Sequence, residues 1–318
     1  MIFNRIKLNY NIKLLDDGFQ SQDYSEVQKI LRSNKSNGIY SNLVSYAIHK
    51  HLSQEAHFNF YSSKFIWLSS YDQRDLSFIY NFLDFYFQNN QSASCSFGDY
   101  QDQISDALKE IKNIEIPQFI DFDHVVSNSF LYQLFLLLLS NKKYIFSNIR
   151  GAFFESPTKK FLIYPQTTLC YIHVHRNPYD LYFRYKKDFQ NSQEALNEIA
   201  NSNQFSQKKS LKYQIMENRQ DWNTFTKSWT NNNVENTYRG KLIKYENLEN
   251  SPKDTLIEVI YHLKQAGMNL DIDFDLIDKF IQINNVETIS KEQISNQELK
   301  LVDNNFESDF LKKLGYSY

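Results

Sequence analysis

The stretch that decides the fold is CYIHVHRNPYD, residues 170–180. Its first half is apolar enough for a buried strand, and a polar turn then leads into a helix, for which Asn177 is a good N-cap and Pro178 a good first residue. Unpaired N–H groups and the positive end of the helix dipole face this turn, which therefore suits an anion. Arg176 then lies where its guanidinium can bind a phosphate. Alternatively, Arg176 pairs with a carboxylate and the remaining residues only cap the helix.

A second segment, KILRSNKSNG at residues 29–38, has a similar pattern. It predicts a strand over residues 27–33, a polar turn and a helix from residue 40. Lys35 supplies a mobile charge, the Ser36 hydroxyl can donate, and Gly38 lets the backbone approach an oxygen closely. The order of a Walker A loop is absent. Two such turns suggest a ligand with phosphates at two places, although an ordinary turn with a solvated lysine would look the same.

The composition excludes several classes of protein. The 318 residues carry a formal net charge of −2, so no global basic field favours nucleic acid or an anionic membrane. The longest apolar run, residues 130–139, is too short to span a bilayer, and the charged N-terminus does not resemble a signal peptide. Two cysteines give neither a disulfide framework nor a zinc motif. We expect a cytoplasmic protein without a membrane span and without a nucleic-acid partner.

The alternation of segments predicts an α/β fold. We find no repeat or linker and expect a single domain over residues 1–318, with a central parallel sheet flanked by helices. The predicted strands are residues 27–33, 65–69, 144–147, 169–175 and 241–245. The predicted helices are residues 40–53, 73–88, 101–111, 124–139, 178–189, 211–229, 253–266, 274–283 and 305–314, with Gly315 after the last. Ligands of such sheets bind at the carboxyl ends of the strands.

Four stretches together resemble the sulfotransferase superfamily, whose members use 3′-phosphoadenosine 5′-phosphosulfate (PAPS). Residues 176–180, RNPYD, match the family's R-N-P-x-D motif, and residues 34–40 loosely match its P-K-S-G-T-T-W motif. Trp222, Trp229 and the segment KLIKYENL at residues 241–248 resemble its W…W…YEdL block. The ending FLKKLGY, residues 310–316, resembles a common family ending, so the likeness covers nearly the whole chain.

The resemblance implies a P-loop NTPase-like fold of the sulfotransferase type and a role for each matching residue. Arg176 would bind the 3′-phosphate, and Arg184 stands where the family often has a second, serine contact to that phosphate. Tyr40 replaces the tryptophan that stacks on adenine. The loop that would hold the 5′-phosphosulfate consists of Lys35, Ser36, Asn37, Gly38 and Ile39. The YENL block is expected to be structural.

The implied reaction is in-line transfer of a sulfuryl group from PAPS to a hydroxyl of a carbohydrate or small metabolite, without a metal. Lys35 would neutralise charge on the leaving phosphate. No motif marks a base, and Glu55 and His124 are the candidates, although a plain surface role fits each of them. The sequence leaves the oligomeric state open.

Departures from the family pattern keep other functions open. Asn37 stands where the family has glycine, and the late R-K-G motif and the K-T-H histidine are absent. A second hypothesis is therefore a non-catalytic relative that binds a nucleotide or a protein. A third is a P-loop kinase that uses ATP and magnesium, which the missing Walker order disfavours.

Overall fold

A parallel sheet with helices on both faces forms the centre of the computed structural model. Within the described residues this sheet has five strands. In spatial order they are β2 (Cys95–Phe97), β3 (Tyr144–Asn148), β1 (Lys64–Ser70), β6 (Thr168–His175) and β7 (Gly240–Lys244). All neighbouring pairs are parallel. A separate antiparallel ladder joins β4 (Phe153–Phe154) to β5 (Lys160–Phe161).

The structure describes most of the chain in separate ranges. These are residues 2–21, 23–34, 39–53, 63–89, 95–97, 133, 136–137, 142–148, 152–154, 160–161, 163–189, 191–200, 221–288 and 296–316.

Thirteen helices with assigned bounds lie within these ranges. In chain order they are α1 (Ile2–Gln20), α2 (Tyr24–Ser33), α3 (Tyr40–Ser53), α4 (Gln73–Asn89), α5 (Pro178–Phe189), α6 (Ser192–Ala200), α7 (Trp222–Trp229), α8 (Asn232–Tyr238), α9 (Tyr245–Asn250), α10 (Pro252–Ala266), α11 (Phe274–Ile283), α12 (Asn296–Asp303) and α13 (Ser308–Lys313).

Side chains of β1 alternate between two hydrophobic cores, one on each face of the sheet. Phe65 and Trp67 belong to the first core, which also contains buried residues of α1 to α3 and α5 to α8. Ile66 and Leu68 belong to the second, with residues of α4, α9, α10 and α11. The predicted α/β class, with a parallel sheet covered on both faces, is thereby confirmed.

Four of the five predicted strands are confirmed within one or two residues, namely β1, β3, β6 and β7. The strand predicted over residues 27–33 is wrong, because these residues belong to α2. Val27, Ile30 and Leu31 are buried and follow the i, i+3, i+4 spacing of a helix. The Asp23 side chain caps α2 by accepting the backbone N–H of Glu26 at 3.1 Å. The Lys35 segment therefore follows a helix and not a strand of the sheet.

Most helix predictions are confirmed where the structure describes them, but the helix predicted over residues 211–229 is too long, because Asp221 is the N-cap of α7. The bounds of α3, α5 and α11 match the prediction, and α4, α10 and α13 lie within a few residues of it. Gly315 follows α13 with φ +72°, as expected for a residue just after a helix. The predicted helix at 101–111 and most of those at 124–139 and 211–229 lie outside the described residues. Among the described residues, no helix has both the length and the apolar character that a membrane crossing requires.

The contact between β6 and β7 depends on a glycine. Gly240 lies opposite Tyr171 in the parallel register. Tyr171 is fully buried, and its hydroxyl donates to the Trp229 carbonyl at 2.5 Å. A Cβ atom at residue 240 would overlap the Tyr171 phenol and lie 2.7 Å from its Cε1. Only glycine fits here without moving this ring.

We predict that Gly240→Ala destabilises the protein by about 1–3 kcal/mol, because the added methyl group overpacks the β6–β7 contact. Urea titration monitored by far-UV circular dichroism measures this. Lys241→Ala, at the next position, is the control. It removes only an exposed ion pair with Glu258 and should change stability by less than about 0.5 kcal/mol. Equal stability of Gly240→Ala and the wild-type protein would contradict the packing described here.

Candidate functional site

The candidate site lies at the carboxyl edge of the sheet, between β1 and β6. Ser70, the last residue of β1, pairs with Val174 near the end of β6. The chain leaves β1 into α4 on one face of the sheet and leaves β6 into α5 on the other. Ligands of open parallel sheets bind at such a topological switch point.

The turn from β6 into α5 has the predicted geometry. Asn177 caps α5, its side-chain oxygen accepting the backbone N–H of Tyr179 at 3.1 Å. Pro178 is the first helical residue and Asp180 lies in the first turn. The backbone N–H of Asn177 donates to Glu246 Oε1 at 2.9 Å. Because Glu246 belongs to the YENL block at the start of α9, that block supports the turn structurally.

The Arg176 guanidinium is surrounded by protein groups. Its Nε donates to Asp75 Oδ1 at 2.9 Å, and its Nη1 donates to Glu249 Oε1 at 3.2 Å. Its central carbon lies 3.6 Å from the centre of the Tyr245 ring. The side chain is 0% exposed. Arg176 therefore pairs with carboxylates, and its binding of a phosphate stays a prediction.

Arg184 reaches the same carboxylate from the second turn of α5. Its Nη1 donates to Asp75 Oδ1 at 2.8 Å and to Asp72 Oδ2 at 3.1 Å. Its Nη2 lies 3.6 Å from Glu287 Oε1, at the exposed side of the group. We call Asp72, Asp75, Arg176 and Arg184 the ion cluster. The structure thus brings together the two arginines that the resemblance assigns to one phosphate.

Sequence reasoning missed both aspartates of the ion cluster. Asp72 lies just before α4 and Asp75 lies in its first turn, where acidic residues favour the helix dipole. Asp72 also accepts from the backbone N–H and the Nε of Arg74, each at 3.0 Å. The sequence signal that could have identified them is YDQRD, residues 71–75, which places two aspartates directly after the apolar strand β1.

Burial affects the two carboxyl groups differently. Burial raises the pKa of Asp75 to about 6, although the charges of Arg176 and Arg184 oppose the shift. Burial acts in the same direction on Asp72, but its hydrogen bonds with Arg74 and the charges of Arg74 and Arg184 keep its pKa below the ordinary value. Asp75 is therefore the carboxylate of the ion cluster that is protonated first on acidification.

Several polar atoms of the ion cluster lack a hydrogen-bond partner among the described residues. They are Asp75 Oδ2, Arg176 Nη2, Arg184 Nε and Arg184 Nη2. Buried polar groups in proteins are nearly always hydrogen-bonded. Three nitrogens of the ion cluster can therefore still donate a hydrogen bond, and one oxygen can still accept one.

A second polar group lies beside the ion cluster and fixes the C-terminal segment. The Tyr316 hydroxyl lies 2.7 Å from His175 Nδ1, donates to the His175 carbonyl at 3.1 Å and lies 3.4 Å from Glu246 Oε2. Burial, with a smaller effect of the Lys244 charge, lowers the pKa of His175 to about 3. His175 is therefore neutral at physiological pH.

The other predicted site residues fall into two groups. Ile39 is buried in the first core and Tyr40 packs against it, in the layer of α1 to α3. The remaining ones lie outside the described residues, namely Lys35, Ser36, Asn37, Gly38, Glu55 and His124. The described residues contain no group of three or more His, Cys, Asp and Glu side chains placed to hold a metal ion.

No family model matches the chain, and a search of curated proteins finds no match.

We predict that His175 makes the protein less stable in acid. Its pKa of about 3 lies below the ordinary 6.5, so the unfolded chain binds the proton first and stability falls as the pH drops below about 6.5. From about pH 7.5 to about pH 5, this histidine should cost about 2 kcal/mol of unfolding free energy. Urea titrations at both pH values should show that loss reduced in His175→Gln.

Tyr316→Phe is the matched control, because it removes the hydroxyl that contacts His175 and keeps the imidazole. It should retain the full dependence of stability on pH. The same dependence in His175→Gln as in the wild-type protein would show that this histidine does not titrate on unfolding.

Proposed function

We propose that this protein is a non-catalytic sulfotransferase-like module that binds a nucleotide or a partner protein and does not transfer a sulfuryl group, because its own carboxylates pair with the two arginines that the resemblance assigns to a phosphate. One observation carries the proposal: Asp75 Oδ1 accepts from both Arg176 and Arg184, at 2.9 and 2.8 Å.

The position of these residues at the carboxyl edge of the parallel sheet supports the sulfotransferase type. Arg176 follows a central parallel strand and precedes a helix with a capped N-terminus, as the R-N-P-x-D resemblance implies. Arg184 approaches the same point from that helix, and the YENL block supports the turn through Glu246. The R-N-P-x-D and YENL motifs thus both contribute to the turn between β6 and α5.

The charge of the ion cluster does not fit the 3′-phosphate of PAPS. Arg176 contacts Asp75 and Glu249, and Arg184 contacts Asp72 and Asp75. A phosphate placed against both guanidiniums would lie beside carboxylates of the same sign, in a region where water does not screen them. The unused N–H groups could donate to its oxygens, but each positive charge is already balanced.

We predict that the wild-type protein does not bind 3′-phosphoadenosine 5′-phosphate with micromolar affinity in calorimetry, because the arginines are already paired. A parallel titration with ATP and magnesium tests the kinase hypothesis. Micromolar binding of the bisphosphate that Arg176→Ala abolishes would contradict the proposal and support an enzyme. Tight ATP binding that requires magnesium would indicate a kinase.

The second candidate is the PAPS-dependent sulfotransferase that the motifs suggest, acting on a hydroxyl of a carbohydrate or small metabolite. The observation that favours it is the set of buried guanidinium nitrogens of Arg176 and Arg184 that form no hydrogen bond with the described residues. Lys35, Glu55 and His124 are the proposed catalytic residues of this candidate.

If the protein is an enzyme, we predict that Lys35→Ala lowers turnover by about a hundredfold or more and weakens donor binding much less. The physical reason is that Lys35 would act on charge that develops during transfer. Transfer of labelled sulfate from PAPS measures turnover, and calorimetry measures affinity. Lys29→Ala is the control, because Lys29 is an exposed lysine on α2 whose ion pair with Glu26 lies at the surface. Equal losses in turnover and affinity would mean that Lys35 only anchors the donor.

A further inference from the structure

One carboxylate oxygen holds two guanidiniums in the ion cluster. Asp75 Oδ1 lies 2.9 Å from Arg176 Nε and 2.8 Å from Arg184 Nη1. The side chains of Asp75, Arg176 and Arg184 are 1%, 0% and 5% exposed. Two arginines that converge on a buried oxygen form the arrangement that proteins use for oxyanions, here with an oxygen of the chain itself.

The hydrogen bonds around Asp75 are incomplete. Arg176 Nη2, Arg184 Nε and Arg184 Nη2 have no hydrogen-bond partner among the described residues. Removal of the Asp75 carboxylate would also release Arg176 Nε. These nitrogens belong to two guanidiniums, one just after β6 and one in the second turn of α5, and the planar carboxylate accepts from both through a single oxygen. A tetrahedral anion, with oxygens pointing four ways, can accept from more of them.

Asp75 differs from the neighbouring carboxylates of Asp72 and Glu249 in the number of cluster arginines that it contacts. Asp72 shares its charge between Arg184 and Arg74. Of the two arginines, Glu249 contacts Arg176, at 3.2 Å, and its side chain is 19% exposed. Asp75 alone among these three contacts both arginines.

We propose that the Asp75 carboxylate is the internal occupant of a latent oxyanion site formed by Arg176 and Arg184, and that sulfate or phosphate binds there once this carboxylate is removed. The inference rests on the proposed function, in which internal carboxylates hold the two arginines. It adds that one residue, Asp75, decides whether the ion cluster accepts an anion.

Two variants test this proposal. Asp75→Ala removes both the charge and the volume of the carboxyl group, and Asp75→Asn removes the charge and keeps the shape. Sulfate binding is measured by calorimetry, and thermal unfolding is followed in sodium sulfate and in sodium chloride of equal ionic strength. We expect sulfate to bind Asp75→Ala at least about tenfold more tightly than the wild-type protein, a gain equivalent to one charge-assisted hydrogen bond. Sulfate should raise the melting temperature of both variants more than that of the wild-type protein, and that of Asp75→Ala most, because the carboxamide of Asp75→Asn still fills the space.

Controls separate the ion cluster from general salt effects. Asp188→Asn neutralises a half-exposed carboxylate that contacts Arg74 and neither cluster arginine, and it should respond to sulfate as the wild-type protein does. Asp75→Asn/Arg176→Met should lose the gain, because one of the two guanidiniums is absent. If Asp75→Ala folds only in sulfate, that result supports the proposal. An identical sulfate response of both single variants and the wild-type protein would overturn it.

The same variants distinguish this inference from the proposed function. Micromolar binding of 3′-phosphoadenosine 5′-phosphate by the wild-type protein would refute the proposed function. If Asp75→Ala then bound sulfate no better than the wild-type protein, the inference would fail too. Sulfate binding that appears only in the Asp75 variants, with no binding of the bisphosphate by the wild-type protein, supports both.

Discussion

The hydrogen bonds from Arg176 and Arg184 to one oxygen of Asp75 join the two halves of the carboxyl edge. Asp75 belongs to α4, which follows β1 and packs on one face of the sheet. Both arginines belong to the segment after β6, whose helix α5 packs on the other face. The interaction therefore links the two faces of the sheet at its carboxyl edge, which is where ligands of open parallel sheets bind in general.

Burial limits how much this interaction adds to the stability of the fold. Transfer of charges out of water costs free energy that close pairing only partly recovers, but loss of one partner from a buried pair commonly costs about 3–5 kcal/mol. Burial raises the pKa of Asp75 although two arginines oppose the shift, so the desolvation of this carboxyl group is not fully compensated.

Part of the site could be predicted from the sequence because the signals are local. Asn177, Pro178 and the preceding apolar run specify a strand, a turn and a capped helix through neighbouring backbone groups alone. The YENL block was expected to be structural, and Glu246 supports the Asn177 turn. The error over residues 27–33 had a local cause as well. A short apolar run fits a buried strand or a helix, and the spacing of Val27, Ile30 and Leu31 favours the helix.

The sequence by itself determined the α/β class, four strands of the parallel sheet and the helix start that holds Arg176 at its carboxyl edge. Only the tertiary structure decided the partner of that arginine. Asp75 is 101 residues away in the chain, and no spacing rule relates two positions that meet across a sheet. Such long-range contacts decide whether a guanidinium is unpaired or already bound to a carboxylate. The reason is that electrostatic attraction depends on distance in space and not on separation along the chain.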